Sequence, residues 1–450
     1  MNSTLPEHVR IRGGRRLHGR VRVPADLDVA QRALLFAALA DGRSELQHAP
    51  AAGSVRVILD AWRALGVECT YADGAIAVDG VGVNALGMPR GALDCGRSWS
   101  ALALFAGLLS GQHFGTRISV HPTLAERSVE QIVGPLRARG AHIAGRAKPG
   151  GSVPPIAVAP LIEPERLTGL DAVLQWSDPD AKSAALISGL FAAGATTLSE
   201  PSVSADHTER LMVALGLPLR RIGSVIAFDP SAWDGRIPAL GRVALPGSTT
   251  LASYWAVAAQ LVPGSDITLT DVGVNPSRSG ALEMLGQWSN ALDLVPKGDA
   301  LLREPIADVR VRAAGLRGGV IGGELLVRAS DELPALALLG VVAQRGVRLC
   351  DLTWLGAEHD ATWAALDPLL AAFGIASERS PGELYVPRQR EQRSAEFDAG
   401  DDPRLSLCAC VLGLACAGVT VVKHAAQALS AVYPGFIEGA QALGADIDFV

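Results

Sequence analysis

The sequence predicts a mixed α/β fold of two domains, built from six copies of one small unit. Three observations lead there. Six amphipathic segments each end near a glycine, once an asparagine, and continue into short strand-like runs. Those terminal residues recur at a near-constant interval. Between them lie further apolar helical stretches, each followed by a β-like run after a glycine.

The six segments begin with LDAWRALGVECTYADGAIAV (59–78), GPLRARGAHIAG (134–145) and LMVALGLPLRRIGSVIAF (211–228). They continue with LGQWSNALDLVPKG (285–298), LLAAFGIASERSPGELYV (369–386) and GAQALGADIDFV (439–450). Gly66, Gly140, Gly216, Asn290, Gly374 and Gly444 stand at the helix ends, at intervals of 74, 76, 74, 84 and 70. Glycine or asparagine is favoured there because a helix commonly exits through a left-handed residue. The intervening helices are expected at 29–40, 97–110, 181–193, 251–262, 332–345 and 405–418. Each unit is then about 75 residues of α/β structure, and three fill a domain of ordinary size. The polar run 388–400 reads as a solvated loop.

Composition excludes several classes. The net charge is −6, so the chain is no phosphate-backbone binder and no nucleic-acid partner is expected. Only four basic residues are lysine: Lys148, Lys182, Lys297 and Lys423. The cysteines at 69, 95, 350, 408, 410 and 416 form no CxxC pair and read as small buried hydrophobes in a reducing compartment. The N-terminal stretch has no apolar signal core. The run LSLCACVLGLACAGVTVV (405–422) reads as a buried helix, a turn and a strand start, not a membrane span. A cytoplasmic protein without a membrane partner is expected. The glycines of GLRGGVIGG (315–323) follow no dinucleotide or P-loop pattern and read as turns.

Several strings are more specific. AKSAALISGLFAAGATTLSEPSVSADHTERL (181–211), with DHTER at 206–210, and DELPALALLGVVAQRG (331–346) resemble the EPSP synthase (enolpyruvyl transferase) family. So do RVPADLDVAQRALL (22–35), LAERSVEQIVGPLRARGA (124–141), VGVNPSRSGALEML (272–285) and YPGF (433–436). The resemblance covers nearly the whole chain. It implies two domains of three units around a cleft, with residues 1–22 plus 244–450 in one and 23–243 in the other.

The resemblance also implies site residues. The family joins phosphoenolpyruvate to shikimate 3-phosphate, so its site is rich in cations. At the position of its G-S-K-S motif this chain has Ala25, Asp26, Leu27 and Asp28; at G-N-(A/S)-G-T it has Gly96, Arg97, Ser98, Trp99 and Ser100. Asp178, Pro179 and Asp180 replace S-(A/S)-Q; Ala357, Glu358, His359, Asp360 and Ala361 replace K-E-(S/T)-D-R. Asp402, Pro403 and Arg404 stand at D-H-R, and Ser430 to Pro434 at A-K-(S/T)-F-P. Leu27, Ala357, Ala431 and Ala361 thus stand where the family has three lysines and one arginine. Arg32, which would hold the acceptor carboxylate, is kept. So are Arg127, which would grip phosphate, Arg404 and Ser204. The family's proton-transfer carboxylates survive as Asp331 and Glu358.

Each residue also has a plain reading. Arg32 and Arg127 sit at helix starts, where either can cap or pair. Asp331 and Glu358 can each N-cap a helix. Asp26, Asp28, Asp178, Asp180, Asp401 and Asp402 could gather carboxylates, but no metal site and no cofactor are expected from residues so far apart in sequence. With Asp28, Asp178 and Asp180 lining the substrate position, the leading expectation is a lyase removing water from an unphosphorylated, shikimate-like hydroxycyclohexene carboxylate. Two alternatives stand: a divergent enolpyruvyl transferase that uses phosphoenolpyruvate and another acceptor, and a non-catalytic binding relative.

Overall fold

The computed structural model describes residues 7–50, 52–299, 303–355, 360–389 and 392–450. Six four-stranded sheets share one topology: a parallel edge pair, then two antiparallel pairings. In one, strand Pro305–Arg312 lies between Leu292–Asp299 and Asp266–Gly273, and the latter pairs in parallel with His18–Arg22. In another, Glu68–Ala72 and Ala75–Val81 form a hairpin, and Asp41–Gln47 carries the pairing on to Gly241–Ala244. The last unit borrows its partner from the start of the chain. Asp446–Phe449 pairs antiparallel with Val9–Arg12, so Val9 faces Phe449.

The described residues divide into two compact units. One comprises Met1–Pro24, Pro246–Gly298 and Pro305–Val450; the other comprises Ala25–Leu245 with Asp299–Glu304. Each holds three of the sheets and its own apolar core.

The core of each unit is a set of helices buried on nearly every side, as expected of a helix surrounded by protein. In the Ala25–Leu245 unit these are Leu27–Ala38, Trp99–Leu109 and Pro179–Gly189; every residue of the second is buried. A Cβ on Gly107 would lie 2.4 Å from the Ala184 carbonyl oxygen, so glycine there lets two helices meet backbone to backbone. In the other unit Thr249–Leu261, Leu333–Leu338 and Pro403–Ala415 play the same part. Among the described residues no helix is long and apolar enough to cross a membrane.

Five of the repeat caps are left-handed as expected, with φ of +88° at Gly66, +97° at Gly140, +81° at Gly216, +74° at Gly374 and +91° at Gly444. The Asn290 unit departs from the pattern. Its helix stops at Trp288 and Ser289 is already extended. The helix expected over 332–345 is also shorter: Leu333–Leu338 passes into a 3-10 turn at Leu339–Val341. A Cβ on Gly340 would sit 2.3 Å from the Val386 carbonyl, so the chain narrows where it passes that strand. Within the polar run 388–400, expected as a loop, Glu396–Asp398 forms an edge strand parallel to Val421–Lys423.

One buried cation braces the Ala25–Leu245 unit. Arg139, fully buried, donates to the Thr168 and Ala185 carbonyls and to the Ser188 and Thr196 hydroxyls. Burial lowers its pKa to about 10. Arg139→Met should lower the free energy of unfolding in guanidinium chloride by roughly 3 kcal/mol, because buried acceptors lose their donors. A loss below about 1 kcal/mol would show that these bonds do not brace the unit.

Candidate functional site

The first turns of the three buried helices in the Ala25–Leu245 unit meet side chain to side chain. An Asp or Ser caps each one. Asp26 accepts from the Asp28 and Val29 amides, Ser98 from Ala101, and Asp178 from Asp180 and Ala181. Caps of this kind satisfy amides that have no partner within the helix. Ser98 also donates to Gln31 at 2.8 Å, tying the start of one helix to its neighbour.

Arg32 lies at the centre, 2% exposed. Its guanidinium donates five hydrogen bonds: Nε to Thr208, Nη1 to the Asp28 carbonyl and Ser100, Nη2 to Asp180 and Ser183. A guanidinium has five N–H groups, so the protein itself engages the whole fork. The Asp180 carboxylate is 3.3 Å from Nη2 and also accepts from the Ser100 hydroxyl. Burial raises its pKa to about 6; Arg32 and the Ser100 bond pull the other way, while Asp28 and Asp178 push further up. Asp28 stays half-exposed, 3.8 Å from Arg32. Arg127 lies over the Trp99 ring at 4.2 Å, a cation–π contact.

Ser204 is placed otherwise. It is 1% exposed, its hydroxyl donates to Glu200 and its amide bonds the same carboxylate. That carboxylate belongs to a buried triad in which Lys182 pairs with Glu200 at 3.1 Å and Glu209 at 2.9 Å.

The other unit repeats the arrangement. Asp402 caps Pro403–Ala415 by accepting from Arg404 and Leu405, and Ser248 caps Thr249–Leu261. Asp331 lies between two guanidinium groups, 2.7 Å from Arg404 through one oxygen and 2.7 Å from Arg278 through the other. Arg278 also reaches Glu332 at 2.8 Å and the Thr250 hydroxyl at 2.6 Å. Burial holds the Glu332 carboxyl above the usual range despite Arg278, and neighbouring Asp331 adds to the rise. Glu358 and His359 lie outside the described residues. Among the described residues no group of three or more His, Cys, Asp or Glu side chains could hold a metal ion.

Residues 11–439 match the family described as EPSP synthase (3-phosphoshikimate 1-carboxyvinyltransferase). The chain belongs to the EPSP synthase family. It is 33% identical over 437 residues to a 3-phosphoshikimate 1-carboxyvinyltransferase of Syntrophotalea carbinolica, covering 96% of this chain and 98% of that one. It is similar to the EPSP synthase structure from Acinetobacter baumannii, with a TM-score of 0.83, 26% identity and coverage of 98% and 99%. The enolpyruvyl transferase NikO of Streptomyces tendae shares the fold at a TM-score of 0.73, with 20% identity and 98% of each chain covered. These relatives are enolpyruvyl-transferring enzymes by name, and none is named a lyase, so the expected dehydratase has no support among them.

Sequence reasoning missed Arg278, Thr250, Glu332, Ser100, Ser183 and Thr208. A signal was present for some. Arg278 sits in NPSR just before a helix, and Ser100 and Ser183 are hydroxyls near the starts of buried helices.

His207 of the DHTER string is also buried, with Nδ1 2.8 Å from Glu304. Burial lowers its pKa, but the charge and hydrogen bond of Glu304 outweigh that and raise it above 6.5. A raised folded-state pKa stabilises fully below the unfolded value of about 6.5 and fades as pH rises through the folded value. Urea unfolding of this EPSP synthase relative should therefore show a loss of stability above pH ~6.5 that Glu304→Gln flattens. Equal pH slopes in both proteins would contradict the pair's role.

Proposed function

We propose that this EPSP synthase family member transfers an enolpyruvyl group from phosphoenolpyruvate to a hydroxyl of a small polyhydroxylated carboxylate that carries no phosphate. One observation carries the reading. At the N-terminus of helix Pro179–Gly189, Asp178 caps the amides and Asp180 pairs with Arg32. Such a helix end is a natural anion site, and here the protein's own carboxylates take it. A phosphate dianion facing both would cost several kcal/mol.

Kinship along the whole chain with carboxyvinyltransferases favours transfer over elimination. Transfer needs a group to take the proton of the acceptor hydroxyl. Asp331, held between Arg278 and Arg404, is the carboxylate we assign to that task. The resemblance makes Glu358 the second proton-transfer residue, and gives Arg127 the donor's phosphate. A second reading, elimination of water, rests on Leu27 and Ala431, which stand where the resemblance has lysines for phosphoenolpyruvate.

The test is product analysis by mass spectrometry. The protein is incubated with shikimate or shikimate 3-phosphate, each with and without phosphoenolpyruvate. Shikimate should gain one enolpyruvyl group with release of phosphate, and its kcat/KM should exceed that of shikimate 3-phosphate by about 100-fold. Asp331→Asn should lower kcat by a factor of roughly 10² to 10⁴. Faster turnover of shikimate 3-phosphate would overturn the acceptor assignment. Loss of water from shikimate without phosphoenolpyruvate would favour the second reading.

A further inference from the structure

Arg32 is the residue through which an acceptor carboxylate would be held, yet the structure leaves it no N–H to offer. Its five donors end on Thr208, the Asp28 carbonyl, Ser100, Ser183 and Asp180. Four of those partners are neutral. Among the described residues only Asp180 answers the guanidinium with a carboxylate at hydrogen-bond distance; Asp28 is 3.8 Å away and half-exposed. Asp180 therefore occupies the position that a ligand carboxylate would need.

We propose that Asp180 is the protein's own stand-in for a ligand carboxylate on Arg32, and that a small monocarboxylic acid reaches Arg32 only by displacing Asp180, which takes up one proton as it leaves. This rests on the reading that Arg32 meets the acceptor's carboxylate.

The physical argument concerns what the displaced side chain faces. The Asp180 side chain is 17% exposed and sits in the first turn of a helix whose terminal amides Asp178 already caps. The groups that face it are Arg32, Asp28 and Asp178 by charge and Ser100 by hydrogen bond. Around Arg32, Ser183 and Thr208 add hydroxyls, and the charges of His207 and Asp26 bear on each other nearby. Without the guanidinium, Asp180 keeps two like-charged neighbours and one hydroxyl in a largely dry site. Its pKa, already about 6 with Arg32 in contact, must rise further when the ligand takes that contact. At neutral pH the exchange is then balanced in charge. One carboxylate arrives, one proton arrives, and Asp180 becomes a neutral carboxyl that can donate to Ser100 or to the ligand.

The exchange has a consequence for selectivity. A monocarboxylate replaces one negative charge with another at Arg32. A ligand with a second anionic group beside it would face Asp28 and Asp178 without further relief. Asp180 thus selects acids with one charge at this end.

Linkage makes the idea measurable. Where ligand binding takes up one proton, the apparent association constant rises tenfold for each unit fall in pH. The rise stops near pH 6, where Asp180 is already protonated in the free protein.

Isothermal titration of the full chain with shikimate, in buffers of different ionisation enthalpy, reads both quantities without any turnover. At pH 7.5 the wild type should take up close to one proton per shikimate bound, and its Kd should fall nearly tenfold per pH unit down to about pH 6. Asp180→Asn should bind with no proton uptake and a flat pH profile. Asp180→Ser provides a second variant if the first does not fold. Binding by a variant where the wild type shows none would also support the proposal. Wild-type binding without proton uptake would overturn it. So would equal pH slopes in wild type and variant, or no binding by either protein. Proton-linked binding without any product would sink the enolpyruvyl reading and leave this inference standing. Product formed from shikimate without proton-linked binding would do the reverse.

Discussion

In each unit the structure depends on one constraint: three buried helices start side by side. Helices buried on nearly every side are covered by one another and by sheets, so their ends have little freedom to spread. Each N-terminus carries about half a positive charge and amides without partners. Three such ends together need anions. The chain supplies them from its own residues: Asp26, Asp178 and Asp402 as caps, with Asp180 and Asp331 placed on the arginines between the helices.

This arrangement explains how arginine can be nearly buried at both centres. A guanidinium out of water is costly unless its donors are met and its charge is answered. Arg32 has five acceptors, one of them the Asp180 carboxylate. Arg278 has Asp331, Glu332 and Thr250. The two centres differ in what is left over. At Arg32 burial, with Asp28 and Asp178 nearby, pushes Asp180 toward the neutral form. At Asp331 two cations flank one carboxylate, each at 2.7 Å. The same helix geometry thus yields one centre with more carboxylates than cations and one with a carboxylate held between two cations.

The repeat was legible because its cap has a local cause. A left-handed helix exit favours glycine whatever lies around it, and five such glycines stand where the spacing put them. The exceptions have non-local causes. Where the helix near Gly340 gives way to a 3-10 turn, strand residue Val386 passes too close for any side chain, a contact between residues 46 apart in sequence. The edge strand Glu396–Asp398 is short, polar and mostly exposed, so it leaves no apolar alternation to read. At the site, residue types could be read but their pairing could not. Arg32 and Asp180 are 148 residues apart, and Asp331 and Arg404 are 73 apart. Reading Arg32 as a ready carboxylate anchor missed that Asp180 already holds it. Ser204, taken as substrate-binding, has its amide and hydroxyl on Glu200, and no local pattern foretold that Lys182 and Glu209 would join that carboxylate in a buried cluster.

The central claim is that the protein's own carboxylates have taken the place of a ligand phosphate at the helix Pro179–Gly189. Its most direct test is the affinity for shikimate 3-phosphate, by calorimetry, of the wild type and of an Asp178→Ser, Asp180→Gln double variant. The account predicts that the variant gains about 100-fold for shikimate 3-phosphate, with a much smaller change for shikimate. A wild type that already binds the phosphorylated acid more tightly than shikimate, together with a variant that gains nothing, would contradict it.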